Sequence, residues 1–213
     1  MNTRDQTFPA FFADAPTLQL RDPLAEFLGS AAGGVMHYGY ADAVRLAGHS
    51  CPTVAGAYLM AVHGLRALYG AEMPVRGEIG VFMRDARDSG ANGVVASVLQ
   101  LLTGAAAETG FHGIGGRFAR HQLLRFEQPV PAVLGLRRND TGRAVQVQID
   151  ASVVPWPPEM RALLPRAAAG RASPEELQRF AQLWQDRVRR MLIEHAQDPR
   201  LVQVSDWSAP AAA

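Results

Sequence analysis

The chain has 213 residues, of which 48% are hydrophobic and 19% are charged, enough for one substantial core with or without a small appendage. Its formal net charge of +1 argues against a nucleic acid or an acidic membrane surface as partner. Every basic residue is an arginine, which excludes Schiff-base lysine chemistry and the lysine of a P-loop.

The first half of the chain predicts short elements around two apolar helices. An aromatic N-terminal arm leads to Asp22-Pro23, a helix cap followed by a proline suited to the first helical position. Residues 52–69 carry a helical stripe of apolar side chains, which Gly70 ends. Residues 94–102 are apolar on nearly every side and predict a buried helix, while residues 79–83 predict a strand.

The second half predicts a hairpin followed by a helical extension. Residues 133–138 and 144–149 alternate with period two around a polar turn. A proline-rich linker then precedes Ser173, which opens a long helix with a capping box. We therefore expect an α+β fold in which a mixed β-sheet is packed by two apolar helices. The expected division is a metal-binding core with an N-terminal arm over residues 1–150, and the linker with a C-terminal helical segment over residues 151–213.

His49-Ser50-Cys51-Pro52 is the strongest chemical landmark in the sequence. An imidazole and a thiolate are ligands that soft divalent ions prefer, zinc above all. Pro52 suits a first helical position, and a helix N-terminus favours an anionic Cys51 that would serve as ligand or as nucleophile. The alternative is a buried structural cysteine beside a histidine that hydrogen-bonds a carbonyl.

Cys51 is the single cysteine of the chain, so an intrachain disulfide is excluded. A lone thiol is typical of a reducing compartment. The sequence also shows neither a secretory leader nor an apolar run of roughly 18 residues. We therefore expect a cytoplasmic protein without membrane insertion.

Two other histidines are candidates for a third metal ligand beside His49. His37 lies next to an aromatic residue, and His112 lies in the glycine-rich run 110–117, whose flexibility would let the loop fold inward. We favour His112 narrowly over His37 for this reason. The same run lacks a P-loop lysine and a clear strand before it, so a nucleotide-binding loop is excluded.

The remaining histidines have weaker functional signals. His63 suits packing within the long helix, and His195 suits a helix C-terminus, where a cation is favoured. His121 belongs to a basic cluster that predicts either a solvated face or an anion contact, together with Arg117, Arg120 and Arg125.

Several motifs resemble those of FmdE, a family named after formylmethanofuran dehydrogenase. Gly48 to Pro52 resembles its Gly-His-x-Cys-Pro signature, and Leu99 to Gly104 resembles its Ile-Gln-x-x-Thr-Gly helix end. Gly110 to Leu124 is similar to the glycine-rich run of a bacterial branch, and Phe180 to Val188 is similar to the family's C-terminal helix. The resemblance covers most of residues 40–192.

This resemblance implies a mixed-sheet α+β core, usually dimeric, in which His49 and Cys51 hold a zinc-like metal. It also implies that some relatives are accessory subunits of a molybdenum or tungsten enzyme, while others stand alone. The sequence departs from the family pattern at Thr53, where a glycine is usual, and near Val94, where a second cysteine is common. The cysteine-rich C-terminal ribbon of some members is also absent from the sequence.

Three functions follow from these motifs. The leading one is a stand-alone protein that binds zinc or another divalent transition metal through His49 and Cys51, completed by His112, His37, water or a dimer mate. Such a site leaves open positions for a small-molecule ligand, as catalytic sites do. The second is a non-enzymatic carrier of a metal or of a cofactor such as haem. The third is an interaction subunit of a redox enzyme.

Overall fold

A five-stranded mixed sheet organises the fold and takes strands from both halves of the chain. The structure, a computed structural model, describes residues 8–209. The sheet has the order β4-β3-β5-β6-β7, in which β3 runs parallel to β4 and every other neighbouring pair is antiparallel. A separate antiparallel pair, β1 with β2, lies near the N-terminus. The strands are β1 (Leu18–Arg21), β2 (Val35–Tyr38), β3 (Ile79–Met83), β4 (Leu124–Arg125), β5 (Leu134–Arg138), β6 (Ala144–Ile149) and β7 (Val202–Asp206).

Six α-helices accompany the strands in residues 8–209, and the last continues into a short π-helical turn at Arg190–Glu194. They are α1 (Pro23–Phe27), α2 (Tyr40–Ala47), α3 (Pro52–Tyr69), α4 (Asn92–Thr103), α5 (Met160–Ala168) and α6 (Pro174–Arg189).

The two apolar helices lie on the sheet as the sequence predicts. α3 packs across β5, β6 and β7, and α4 packs against α3 and β3. Gly64 of α3 permits a close approach, because a Cβ there would lie 2.6 Å from Leu136 Cδ1 on β5. The expected α+β fold, with both hairpin strands in one sheet with β3, is confirmed.

The C-terminal segment contributes to the same core. Strand β7 pairs along β6 at the edge of the main sheet. Val188 and Met191 are fully buried in the main apolar cluster, together with Leu201 just before β7. This packing brings α6 against α3, which matters for the site described below.

The N-terminal aromatic arm packs on its own chain. The Phe12 ring meets the Tyr40 ring edge-on with centroids 4.8 Å apart, and Phe8 stacks on Phe12 at 5.2 Å. Tyr40 in turn meets Tyr58 of α3 at 5.7 Å. The apolarity of this arm therefore does not require a second subunit to cover it.

A buried ion-pair cluster around Asp22 joins three distant parts of the chain. Asp22 caps α1 as the sequence predicts, accepting hydrogen bonds from the N–H groups of Leu24 and Ala25. Its two carboxylate oxygens also accept from Arg76 and Arg120, each at 2.7 Å. Arg120 is buried, so this member of the predicted basic cluster forms neither part of a solvated face nor a site for an external anion.

The charge state of Asp22 follows from these contacts. Burial alone would raise the pKa of Asp22, but the hydrogen bonds from Arg76 and Ala25 and the charges of both arginines outweigh burial and lower it. The ionised carboxylate therefore stabilises the fold above about pH 4, and this contribution is lost as the pH falls through the folded-state pKa.

We predict that Asp22→Asn lowers the free energy of unfolding by about 3–5 kcal/mol at pH 7, because it leaves two guanidinium groups without their buried counter-charge. The amide can still cap α1, so the loss reports on charge. Urea denaturation measures it, and the difference from the original chain should shrink as the pH falls below about 4.

Asp42→Asn is the matched control for this experiment. Asp42 also caps a helix, since it accepts from the N–H of Gly39, and it also pairs with an arginine, Arg45 at 2.8 Å. That pair is largely exposed, so its removal should cost less than about 1 kcal/mol. Equal losses in the two variants would contradict a special role for the Asp22 cluster.

Candidate functional site

A four-residue connection between α2 and α3, the 48–51 segment, carries the His-Ser-Cys motif. Gly48 ends α2 in the left-handed conformation, at φ 76°, which a residue with a side chain rarely adopts. Cys51 is extended and forms the N-cap of α3, and Pro52 occupies the first helical position. The chain therefore reverses within a short distance and presents His49 and Cys51 on either side of Ser50.

Cys51 is placed where a helix offers its free N–H groups. Its Sγ accepts a hydrogen bond from the N–H of Val54 at 3.4 Å, and the residue is only 8% exposed. Because the positive end of the α3 dipole lies at this position, it favours negative charge on the sulfur. The same contact would also suit an inert capping cysteine, so it does not by itself identify a functional thiol.

His49 is exposed, and one of its ring nitrogens is held by the backbone. Nδ1 lies 2.9 Å from the carbonyl oxygen of Ala47. A carbonyl only accepts, so Nδ1 must be the donor and the neutral ring carries its free lone pair on Nε2. Histidines that bind metals are typically oriented by such a bond from the second nitrogen.

Helix α6 clamps the 48–51 segment through Ser50. The Ser50 carbonyl oxygen accepts from Trp184 Nε1 at 3.1 Å and from Gln185 Nε2 at 3.2 Å. The Ser50 hydroxyl donates to Gln185 Oε1 at 3.0 Å and contacts the hydroxyl of Tyr40 at 3.0 Å. Both polar groups of Ser50 are therefore fixed, and the flanking His49 and Cys51 are held in place with it.

Tyr40 is an uncharged support in this arrangement. Burial raises the pKa of its phenol well above the usual value, and the hydrogen bond with Ser50 offsets this only in part. The phenol therefore stays protonated over the physiological pH range and acts as a fixed polar partner of Ser50.

The clamp was not found from the sequence. Trp184 is an apolar position of the predicted helix, and Gln185 has no distinguishing feature in the sequence. The one available signal was the resemblance of residues 180–188 to a family helix, which marks the segment without naming its contacts.

The structure places the other two candidate ligands in different surroundings. His112 is exposed in the glycine-rich loop, where its ring stacks on His121 with centroids 4.4 Å apart. His37 is exposed on β2 opposite Gln19. No three His, Cys, Asp or Glu side chains within residues 8–209 are grouped so that they could hold one metal ion. The described chain thus brings together two candidate ligands by sequence proximity and adds no third.

The two remaining histidines have structural partners. His63 Nε2 lies 2.6 Å from the carbonyl oxygen of Ala196, and burial lowers the pKa of His63. His195 Nδ1 lies 3.1 Å from the Asp198 carboxylate at the end of the C-terminal helix. Neither ring is directed to the 48–51 segment by these contacts.

A family model described as "FmdE, Molybdenum formylmethanofuran dehydrogenase operon" matches residues 46–198. The chain belongs to the FmdE family. This confirms the resemblance inferred from Gly48 to Pro52, and the match reaches through α6 to the turn after it.

Comparison with other proteins adds little to the family assignment. A crystal structure of an FmdE-like protein of tungsten formylmethanofuran dehydrogenase, from Syntrophus aciditrophicus, is similar to this FmdE-family chain. Its sequence identity is 16% and its TM-score is 0.42, and the match covers 81% of this chain and 74% of the other. No curated protein matches the chain. Within residues 8–209, no helix is both long and apolar enough to cross a membrane.

We predict that Gln185→Ala loosens the 48–51 segment without unfolding the protein. The change removes two hydrogen bonds to Ser50, worth about 1–2 kcal/mol together, so local opening should become roughly 5–30-fold more frequent. Because Cys51 is the single cysteine, its labelling rate with an aromatic disulfide reagent reports on this opening alone.

The control for this measurement is Gln182→Ala. Gln182 is exposed on the same helix, one turn earlier, and its removal should leave the labelling rate of Cys51 unchanged. If the Gln185 variant is labelled no faster than the Gln182 variant, the clamp does not limit access to the thiol.

Proposed function

We propose that this FmdE-family chain binds a divalent transition metal, zinc in the first place, through His49 Nε2 and Cys51 Sγ. The observation that carries the proposal is the hydrogen bond from His49 Nδ1 to the Ala47 carbonyl oxygen, which leaves Nε2 deprotonated on an exposed ring. A histidine that served only packing would be expected to bury this ring.

The donor set fits such an ion in kind. One imidazole nitrogen and one thiolate sulfur are the ligands of zinc and other soft divalent ions, and they exclude a calcium or magnesium site built from oxygens. The start of α3 favours the thiolate form of Cys51. The Ser50 clamp fixes the backbone between the two ligands, so little ordering remains to be done on binding.

The number of ligands decides the type of site. The described chain supplies two donors, whereas a closed structural zinc site uses four. Water, a small molecule or a second subunit would fill the remaining positions. We include a homodimer in this proposal for that reason, since a dimer mate is one source of a further ligand. An ion held this way supplies a Lewis acid with exchangeable positions, which is the arrangement of catalytic rather than structural sites.

A second candidate function is that of a subunit of a redox enzyme. The description of the family names a molybdenum formylmethanofuran dehydrogenase operon, and this alone favours the role for the present chain. Under this function the protein would copurify with a larger enzyme whether or not it carries a metal.

The test is elemental analysis and an absorption spectrum of protein purified without added metal. We predict about one zinc ion per chain in the original protein and a loss of at least about 100-fold in metal affinity for Cys51→Ser and for His49→Ala. Cys51→Ser is preferred to Cys51→Ala, because serine keeps the N-cap of α3 and separates ligand loss from helix loss.

His37→Ala and His112→Ala are the controls. Both histidines are exposed, and no described group of three ligands contains them, so we expect both variants to keep the metal. Loss of metal in either would show that the loop or β2 supplies a ligand. Stoichiometric metal in Cys51→Ser would refute the proposed site. A Soret band in the original protein would instead point to a haem carrier, and a metal-free protein with a copurifying enzyme would point to the subunit role.

A further inference from the structure

A cavity of about 320 Å³ opens beside the first two turns of α3. Its walls are mainly apolar, formed by small residues of α3 together with Val95 of α4 and Ile149 at the end of β6. Gly56 and Ala57 provide the space, because neither has a side chain long enough to fill it. Its volume lies at the lower end of the range of roughly 300–1,000 Å³ that is usual for small-molecule sites.

One charged side chain, Arg187 of α6, lines this cavity. The residue is only 8% exposed. Its Nε donates to the carbonyl oxygen of Val154 at 2.6 Å, and its Nη2 donates to that of Ala151 at 2.8 Å. The guanidinium also lies over the ring of Trp156 at 4.3 Å.

The charge of Arg187 has no carboxylate to balance it. No Asp or Glu within residues 8–209 forms an ion pair with it, and the nearest charge that acts on it is another cation, Arg190. Two carbonyl oxygens satisfy Nε and Nη2, whereas Nη1 donates no hydrogen bond to any described residue. Burying an arginine without a counter-ion is costly, so a group that supplies negative charge here would be stabilised.

The start of α3 adds to the same field. Thr53, at the second position of the helix, lines the cavity together with Pro52. Backbone N–H groups in this first turn have no partner within the helix, and the dipole makes this end positive. The cavity therefore combines a buried guanidinium and a helix N-terminus at polar points with apolar walls elsewhere.

We propose that this cavity binds a small organic acid, with its carboxylate on Arg187 Nη1 and its apolar body against Gly56, Ala57 and Ile149. A single cationic group and a short apolar volume suit a monocarboxylate better than a phosphate ester, which would bring a second negative charge. The inference stands on Arg187 and the cavity walls, and it does not require a metal at His49 and Cys51.

The test compares benzoate with benzamide, which has the same shape without the charge. Calorimetry and thermal shift on the full chain should show benzoate binding at millimolar concentration and benzamide binding at least about tenfold more weakly. Arg187→Met should weaken benzoate at least about tenfold and leave benzamide unchanged. Ala57→Met, which fills the space and keeps the guanidinium, should abolish binding of both.

Arg190→Met is the matched control. Arg190 also donates to a backbone carbonyl of the neighbouring segment, that of Pro155 at 3.0 Å, but it does not line the cavity. It should leave the affinity for benzoate unchanged, which separates loss of the ligand contact from loosening of the 151–155 segment. A similar loss in both variants would overturn the proposal.

The experiment is repeated on Cys51→Ser protein treated with a chelator, so that it is independent of the metal proposal. Benzoate binding retained there supports the carboxylate site even if no metal is ever found. Three results overturn it: benzoate bound only by metal-loaded protein, benzamide bound as tightly as benzoate, or no binding of benzoate at millimolar concentration.

Discussion

The close approach of α3 to the sheet is the constraint on which the other features depend. Gly64 allows the helix to rest on Leu136 of β5, and near its start Gly56 allows the helix to rest on Ile149 of β6. This contact fixes where α3 begins, and therefore where Cys51, its N-cap, lies relative to the rest of the chain. The same small residues leave the cavity at the first turns open, so one packing requirement positions both the thiol and the pocket.

The parts of this fold that are encoded locally were predictable from the sequence. The cap at Asp22, the ends of α3 and the capping box at Ser173 each depend on residues within a few positions of one another. Alternation likewise placed the hairpin and showed that its strands have one apolar face. These features follow from backbone geometry and from the spacing of apolar side chains, which a single sequence displays directly.

The contacts that complete the site were not predictable in the same way. Arg120 meets Asp22 across 98 positions, and Gln185 meets Ser50 across 135, and no spacing rule links residues so far apart. The third metal ligand illustrates the same difficulty, because a glycine-rich loop has little conformational preference and the position of His112 depends on tertiary contacts such as its stacking on His121. A pattern indicates which face of a helix is buried without indicating its partner.

Helix α6 links the 48–51 segment to the cavity. Trp184 donates to the Ser50 carbonyl, and Arg187, one turn later on the same helix, lines the pocket. Both side chains also contact the Trp156 ring, at 4.8 Å and 4.3 Å respectively, so they share one rigid neighbour. A ligand that draws on the guanidinium therefore acts on the helix that holds the segment between His49 and Cys51. Occupation of the cavity and the geometry of the two candidate ligands are mechanically connected through this single turn of helix.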